Sequence, residues 1–227
     1  MYLSILKYKK ISSFFISHSS PECLVSYKFS FIFLRIFSLT AYIKTTIIIS
    51  GDNMILYIAR HGESLGNTGE DNGPDPKLSE KGRIQASLLG ERMQKIKLDA
   101  VFSSPLIRAV ETAEATAINH NLPVNILHDG FEVEDGETQG EAYKRAKDII
   151  KRLREQFTED ERIIVFAHGT FNNYLTNAAI GFPVRDDFNF CQENTGLTCI
   201  KFMPDGKTKI EFANDYCHLA SVDKPEF

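Results

Sequence analysis

A chain of 227 residues with 43% apolar content can bury one good core, with room for a small second unit but not for two full domains. The first 53 residues carry six Lys/Arg against two acids, leaving 20 bases against 28 acids on the rest, a charge near −8 that argues against a general nucleic-acid surface. The four cysteines, Cys23, Cys191, Cys199 and Cys217, form no Cys-x-x-Cys pair and no tight cluster, so neither a zinc site nor a disulfide framework is indicated and a reducing, cytoplasmic setting fits.

Residues 1 to 50 are rich in Ser, Ile, Phe, Lys and Tyr, lack glycine and hold no period of 2 or 3.6 for long. Lys7, Lys9 and Lys10 precede an apolar stretch as in a signal peptide, but serines and His18 break it and no small-x-small cleavage pattern follows. Arg35 and Lys44 interrupt the apolar residues between Phe29 and Ile49 before the roughly 20 that a membrane span needs have accumulated. Lys, Ile, Phe, Tyr and Asn are also what AT-rich codons encode. The expectation is therefore that residues 1–53 are a non-domain extension, with Met54 as the true start, and that 54–227 is the domain; a genuine, weakly ordered extension is the alternative.

From Met54 the pattern becomes regular. Met54 to Ala59 is an apolar run of strand formers that breaks at Arg60-His61-Gly62, as a buried parallel strand does at the carboxyl edge of a sheet. Leu65 to Lys77, rich in Gly, Asn, Asp and Pro, reads as a loop on the site wall. Ser79 caps a helix whose apolar side is Ile84, Leu88, Leu89, Met93 and Ile96. Asp99 to Ser103 is a short strand, and Ser104-Pro105 opens the next helix, to about Asn121, with a cap and a first-turn proline. Val124 to Leu127 is a strand, followed by an acidic loop from His128 to Gly140. Tyr143, Ala146, Ile149, Ile150, Leu153 and Phe157 then fall on one face of a helix. A second strand, Arg162 to Ala167, ends in His168-Gly169, the same His-Gly step as the first. A helix from about Phe171 to Ile180 and two strands, Leu197 to Phe202 and Lys209 to Phe212, complete a three-layer α/β/α sandwich with a mostly parallel sheet.

Three separated blocks carry a resemblance. Arg60-His61-Gly62-Glu63 with Asn67 behind it, Ser103-Ser104-Pro105-Leu106-Ile107-Arg108-Ala109-Val110-Glu111-Thr112-Ala113, and Ala167-His168-Gly169 resemble the signature blocks of the histidine phosphatase superfamily, also called phosphoglycerate-mutase-like, in the right order and spacing. The resemblance implies a phosphohistidine mechanism: His61 as nucleophile, Arg60, Arg108 and His168 binding the phosphoryl group, and Asn67 helping to orient it. It also implies an acid in the loop after Leu127, for which Glu132 is the choice by position and Glu134 the runner-up. Here the family's Leu-Arg-Glu run is replaced by Gly130-Phe131-Glu132 and its Trp-Glu-Gly step is absent, in a chain without tryptophan.

Chemistry supports the roles that the resemblance implies. Phosphoryl transfer asks for in-line positioning and for donors around three equatorial oxygens, which two arginines and a second histidine supply. The attacking histidine must be neutral at one nitrogen, so its other nitrogen should donate to a carbonyl that fixes the tautomer, whereas His168 is expected to act as a cation. A rival reading makes His61, Glu63 and His168 ligands of an open zinc position, against which Arg60 would sit beside a dication. No metal and no cofactor are expected. His18, His120, His128 and His218 read as surface residues. A small phosphorylated molecule is the expected partner, with no nucleic acid and no membrane; a homodimer stays open. Hydrolysis is favoured over mutase chemistry, because the interval from Ala109 to Ala167 lacks the long insertion of cofactor-dependent mutases. The non-enzyme alternative, a phosphate-ligand binding protein, would normally have lost the nucleophile.

Overall fold

A computed structural model describes residues 53–157 and 159–220. The readings placed on residues 1–52, including His18 and Cys23, lie outside the described residues. Six strands form one sheet: β1 (Asn53–Arg60), β2 (Ala100–Ser103), β3 (Val124–Ile126), β4 (Glu159–Ala167), β5 (Leu197–Phe202) and β6 (Thr208–Asp215), in the order β3-β2-β4-β1-β5-β6. β3, β2, β4 and β1 are mutually parallel, and β5 runs antiparallel to both β1 and β6.

Alternation along the central strands sorts their side chains into two cores. Met54, Leu56 and Ile58 of β1 join Ile163, Val165 and Ala167 of β4 on one face, beneath α4 (Gln139–Gln156) and α5 (Gly169–Ile180). Tyr57, Ala59, Ile164 and Phe166 point to the other face, toward α2 (Glu80–Met93) and α3 (Ile107–His120). A strand buried on both faces must be apolar at every position, which is why β1 and β4 read as continuous apolar runs. The sandwich is the expected one. On α4 the expected face is also the observed one: Ala146, Ile149, Ile150 and Leu153 are buried, each of the larger side chains worth about 1.5–3 kcal/mol. Among the described residues, no helix is long and apolar enough to cross a membrane.

Three local expectations are corrected. The buried side of α2 is Gly82, Gln85, Ala86, Leu89, Gly90 and Met93, while Ile84 is 44% exposed. This helix packs by backbone approach: a Cβ on Gly82 would lie 1.9 Å from the Glu63 carbonyl oxygen, and one on Gly90 2.4 Å from that of Ala115. Second, α3 begins at Ile107 with Leu106 at its N-cap position and no side-chain cap bond, so Ser104 and Pro105 precede the helix. The Ile107 N–H is met instead by both carboxylate oxygens of Asp75, at 2.9 and 3.1 Å, from a loop far upstream. Third, the expected loop after β1 opens with a single helical turn, α1 (Leu65–Thr68), closed by a Ser64/Asn67 capping box.

Candidate active site

The site grows from the carboxyl ends of three adjacent parallel strands. The His61 N–H donates to the Ala167 carbonyl (3.0 Å) and the Ser104 N–H to that of Phe166 (2.9 Å), which carries the β2, β4 and β1 pairing one residue past the strands. His61, His168 and Ser104, the first residues beyond β1, β4 and β2, therefore stand side by side, as ligand-binding residues do at the carboxyl edge of an open sheet. The two imidazole centroids are 5.2 Å apart.

Gly62 is required by contact: a Cβ there would meet the Gly82 carbonyl oxygen at 2.5 Å, so Gly62 and Gly82 let α2 press directly on the segment carrying His61. The Gly62 N–H donates to Thr112 Oγ1 (3.0 Å), and that hydroxyl donates to the Arg108 carbonyl (2.7 Å), locking α3 to the same segment.

The His61 ring is buried, and its Nδ1 lies 2.6 Å from the Gly62 carbonyl oxygen. A carbonyl only accepts, so Nδ1 carries the hydrogen and Nε2 presents a lone pair, which accepts from Arg108 Nε at 3.3 Å. Burial first, then Arg108 and Arg60, lower the His61 pKa to about 3, against the Gly62 bond. The ring is neutral at ordinary pH, as a nucleophilic histidine must be.

His168 is the N-cap residue of α5 and fully buried. Its Nε2 lies 2.7 Å from Ser104 Oγ, and its Nδ1 has no partner. Burial, with His61, Arg108, Arg60 and Arg145 nearby, lowers its pKa to about 2. This departs from the expectation of a cationic His168: burial among two guanidinium groups and another imidazole favours the neutral ring. Both folded values lie below the unfolded histidine value of about 6.5, so the stability tied to the neutral rings is complete above that pH and is lost as pH falls toward 3 and then 2. Going from pH 7 to pH 5 should cost on the order of 2 kcal/mol for each ring. Urea midpoints at the two pH values test this: the wild-type loss should shrink clearly in the double variant His61→Asn/His168→Asn.

Arg60 and Arg108 flank the rings. Arg60 Nη1 donates to the Gln192 carbonyl (2.6 Å), while its buried Nε has no partner. Arg108 sits on the first turn of α3, with Nη1 3.6 Å from Asp75 Oδ1. Burial lowers both guanidinium pKa values, with Glu132 acting in the opposite sense on each. Arg60 Nε and His168 Nδ1 are both buried without partners, as donors kept free for an oxyanion are.

Glu132 reaches this centre from the loop after β3. Its Oε1 accepts from the N–H groups of Val133 and Phe171, both at 2.9 Å, and its Oε2 from that of Thr170 at 3.2 Å, so the carboxylate closes the N-terminus of α5 beside His168. Glu134 is exposed. Asn67 is exposed as well, its Oδ1 accepting from the Ser64 N–H at 3.0 Å in the capping box. Glu63 is engaged with Ser79 Oγ (2.7 Å) and Lys81, and among the described residues no three His, Cys, Asp or Glu side chains are arranged to hold a metal, so His61, Glu63 and His168 do not come together as a ligand set.

Several supporting residues escaped the sequence. Asn194 Nδ2 donates to the His61 carbonyl (2.9 Å), and the Thr195 N–H donates to the carbonyls of Arg60 and His61 (3.1 and 3.3 Å). Thr195 is buried at φ +57°, an unusual conformation for a β-branched residue, and its hydroxyl lies 2.9 Å from His218 Nε2. His218 is therefore not the surface residue expected: it is half-buried, its pKa lowered to about 4 by burial and by Arg92. His120 is half-buried too, whereas His128 is exposed as expected. Arg145 lies between the Phe131 and Phe171 rings, 4.0 Å from each centroid, pairs with both Glu137 oxygens (2.9 and 2.6 Å) and donates to the carbonyls of Asp129 and Phe131, fastening the Glu132 loop. Ser104 and Thr112 lay within a recognisable block, so their presence was visible and only their partners were not. Asn194 and Thr195 lay in a loop with no periodicity to mark them.

The model of the histidine phosphatase superfamily, branch 1, matches residues 56–130 and 127–215. Phosphoserine phosphatase 1 of Hydrogenobacter thermophilus is 28% identical over 199 residues, covering 72% of this chain and 93% of that protein. The mitochondrial serine/threonine-protein phosphatase Pgam5 of Drosophila mojavensis is 26% identical over 184 residues, covering 70% of this chain and 62% of that protein. The crystal structure of an Entamoeba histolytica phosphoserine phosphatase in complex with phosphoserine shares the fold, with a TM-score of 0.63 at 21% identity over 73% of this chain and 99% of that one. With two histidines, two arginines and a carboxylate gathered at the sheet edge and the family model spanning most of the described chain, the protein belongs to the histidine phosphatase superfamily, branch 1, and is a phosphatase that hydrolyses phosphomonoesters.

Proposed function

We propose that hydrolysis runs in two steps through a covalent phosphohistidine on His61. The observation that carries this reading is the His61 ring itself, neutral, with Nδ1 donating to Gly62 and the Nε2 lone pair turned toward Arg108. In the first step Nε2 attacks phosphorus in line, the P–N bond forms as the P–O bond to the leaving group breaks, and Glu132 gives that oxygen its proton. In the second, water attacks phosphorus, the P–N bond breaks, and Glu132 takes the proton from water. Arg60 and Arg108 balance the charge on the equatorial oxygens, and Asn67, its Oδ1 held by Ser64, offers its Nδ2 hydrogens.

His168 takes part as a neutral donor. In this reading Ser104 Oγ, which accepts from the Leu106 N–H (3.2 Å), donates its own hydrogen to His168 Nε2 (2.7 Å), and the ring hydrogen sits on the unpartnered Nδ1. Ser104 thereby selects the tautomer that can bind a phosphoryl oxygen. A small phosphorylated metabolite in a cytoplasmic setting belongs to the same reading, supported by the likeness to a phosphoserine phosphatase.

A shared phosphoenzyme makes a testable demand. With glycerol added as a competing acceptor, the ratio of glycerol phosphate to inorganic phosphate should be the same whether p-nitrophenyl phosphate or phosphoserine is the donor, because both pass through one intermediate. A ratio that follows the leaving group would mean direct attack by water. Quantitative transfer to a phosphorylated acceptor with no net release of phosphate would mean mutase chemistry.

A further inference from the structure

After β6 the chain turns back toward the catalytic edge. A short 3₁₀ turn, Cys217–Leu219, brings His218 to the loop before β5, where its Nε2 lies 2.9 Å from Thr195 Oγ1. Arg92, in the last turn of α2, holds the other side of the ring. Its Nη1 lies 3.3 Å from His218 Nδ1, and it also donates to the Asp215 carbonyl (3.1 Å) and carboxylate (2.7 Å). A guanidinium only donates, so Nδ1 accepts, and the neutral ring then carries its hydrogen on Nε2 and gives it to Thr195 Oγ1. The Thr195 hydroxyl gives its own hydrogen to the Asn194 carbonyl at 2.7 Å. Burial and then Arg92, against Asp215, lower the ring's pKa to about 4, in keeping with that neutral state.

The same loop grips the nucleophile by its main chain. Asn194 Nδ2 and the Thr195 N–H both donate to the His61 carbonyl (2.9 and 3.3 Å), the Thr195 N–H also to that of Arg60 (3.1 Å), and the Arg60 N–H donates back to the Gly196 carbonyl (3.3 Å). Across the same peptide unit the Gly62 N–H is held by Thr112 Oγ1, and the Gly62 carbonyl accepts the His61 Nδ1 hydrogen. A shift of the His61–Gly62 peptide therefore moves the acceptor that fixes the ring. Thr195 makes these bonds while buried at φ +57°, a conformation in which a β-branched side chain is strained and glycine or asparagine sits more easily. What threonine adds over glycine there is the hydroxyl that His218 holds. Backbone strain kept beside a reacting group points to a function.

We propose that His218 is a positioning residue for the reaction: through the Thr195 hydroxyl it sets the loop that grips the His61 carbonyl, and so keeps His61 Nε2 in line with phosphorus. The inference rests on the phosphohistidine reading of His61 and adds to it a residue that touches neither substrate nor phosphoryl group. Binding of the anion belongs to the arginine side chains and is separate from this aim, so the two can be measured apart.

His218→Phe keeps a ring without either nitrogen. Rapid-quench labelling with p-nitrophenyl phosphate should show phosphoenzyme forming about tenfold or more slowly in this variant, while inorganic phosphate inhibits with a constant within about twofold of wild type. His218→Gln should recover most of the rate, since an amide spaces an acceptor and a donor much as the ring spaces its nitrogens. Thr195→Val, which exchanges only the hydroxyl for a methyl, should reproduce the loss, and the double variant His218→Phe/Thr195→Val should be no slower than the slower single one, as two members of one relay behave. If His218→Phe does not fold, Thr195→Val carries the same comparison. An unchanged labelling rate in the folded variant, phosphate inhibition weakened as much as the rate, no recovery with glutamine, or additive losses in the double variant would overturn the proposal. Wild-type protein separates the two levels. If it forms no acid-labile label, the phosphohistidine reading fails; if it labels and His218→Phe labels as fast, the positioning role fails and that reading stands.

Discussion

His61→Ala should lower turnover of any phosphomonoester by roughly 10⁴-fold or more, the scale on which loss of a catalytic nucleophile is felt. The ring is buried, so folding has to be controlled for. His61→Asn fills more of the space with a side chain that is no comparable nucleophile, and the same loss there with a cooperative melting transition separates chemistry from stability. A variant with both His61 and His168 replaced should gain nothing from the remaining arginines, since they bind a phosphoryl group without attacking it. Retention of even a hundredth of the wild-type rate in His61→Asn would move the nucleophile elsewhere.

The second large effect is conditional on the leaving group. Glu132→Gln should slow hydrolysis of an alkyl phosphate by about 10² to 10⁴-fold, because an alkoxide is a strong base and needs its proton in the transition state. p-Nitrophenyl phosphate expels a weak base and should lose far less in the same variant. Glutamine keeps an oxygen that can accept from the Phe171 and Val133 N–H groups, so the closure of α5 survives and the contrast reports proton transfer. Glu134 is exposed and should show no such contrast. Equal losses for the two substrates in Glu132→Gln would remove Glu132 from the role of acid.

What the sequence made legible follows from where the physics is local. β1 and β4 could be read because strands buried on both faces are apolar throughout and then stop abruptly, at His61 and His168. α4 could be read because five of its large or small apolar residues recur on one face. α2 was misread because its inner surface is made by Gly82, Ala86 and Gly90, residues with little or no side chain to mark a face, while Ile84 points outward. The start of α3 was misread because its first N–H is met by Asp75, more than 30 residues upstream, and Ser104, which looks like a cap, is taken up by His168.

The site shows the same division. Which histidines and arginines meet was carried by three short blocks, but the charge on His168 was not, since it depends on complete burial among like-charged groups. Glu132 and Glu134 looked alike in an acidic loop, and only the fold puts one of them on the end of α5 and leaves the other in solvent. The supports at Asn194, Thr195 and His218 are joined to His61 only through tertiary bonds.

Rapid-quench labelling tests the central claim most directly. The protein is mixed with radiolabelled p-nitrophenyl phosphate for milliseconds, quenched in base, digested and mapped. The account predicts label that is stable to base, labile to acid and confined to the peptide carrying His61, with none on His61→Asn. Label on any other residue, acid-stable label, or hydrolysis with no labelled protein at any time point would contradict it.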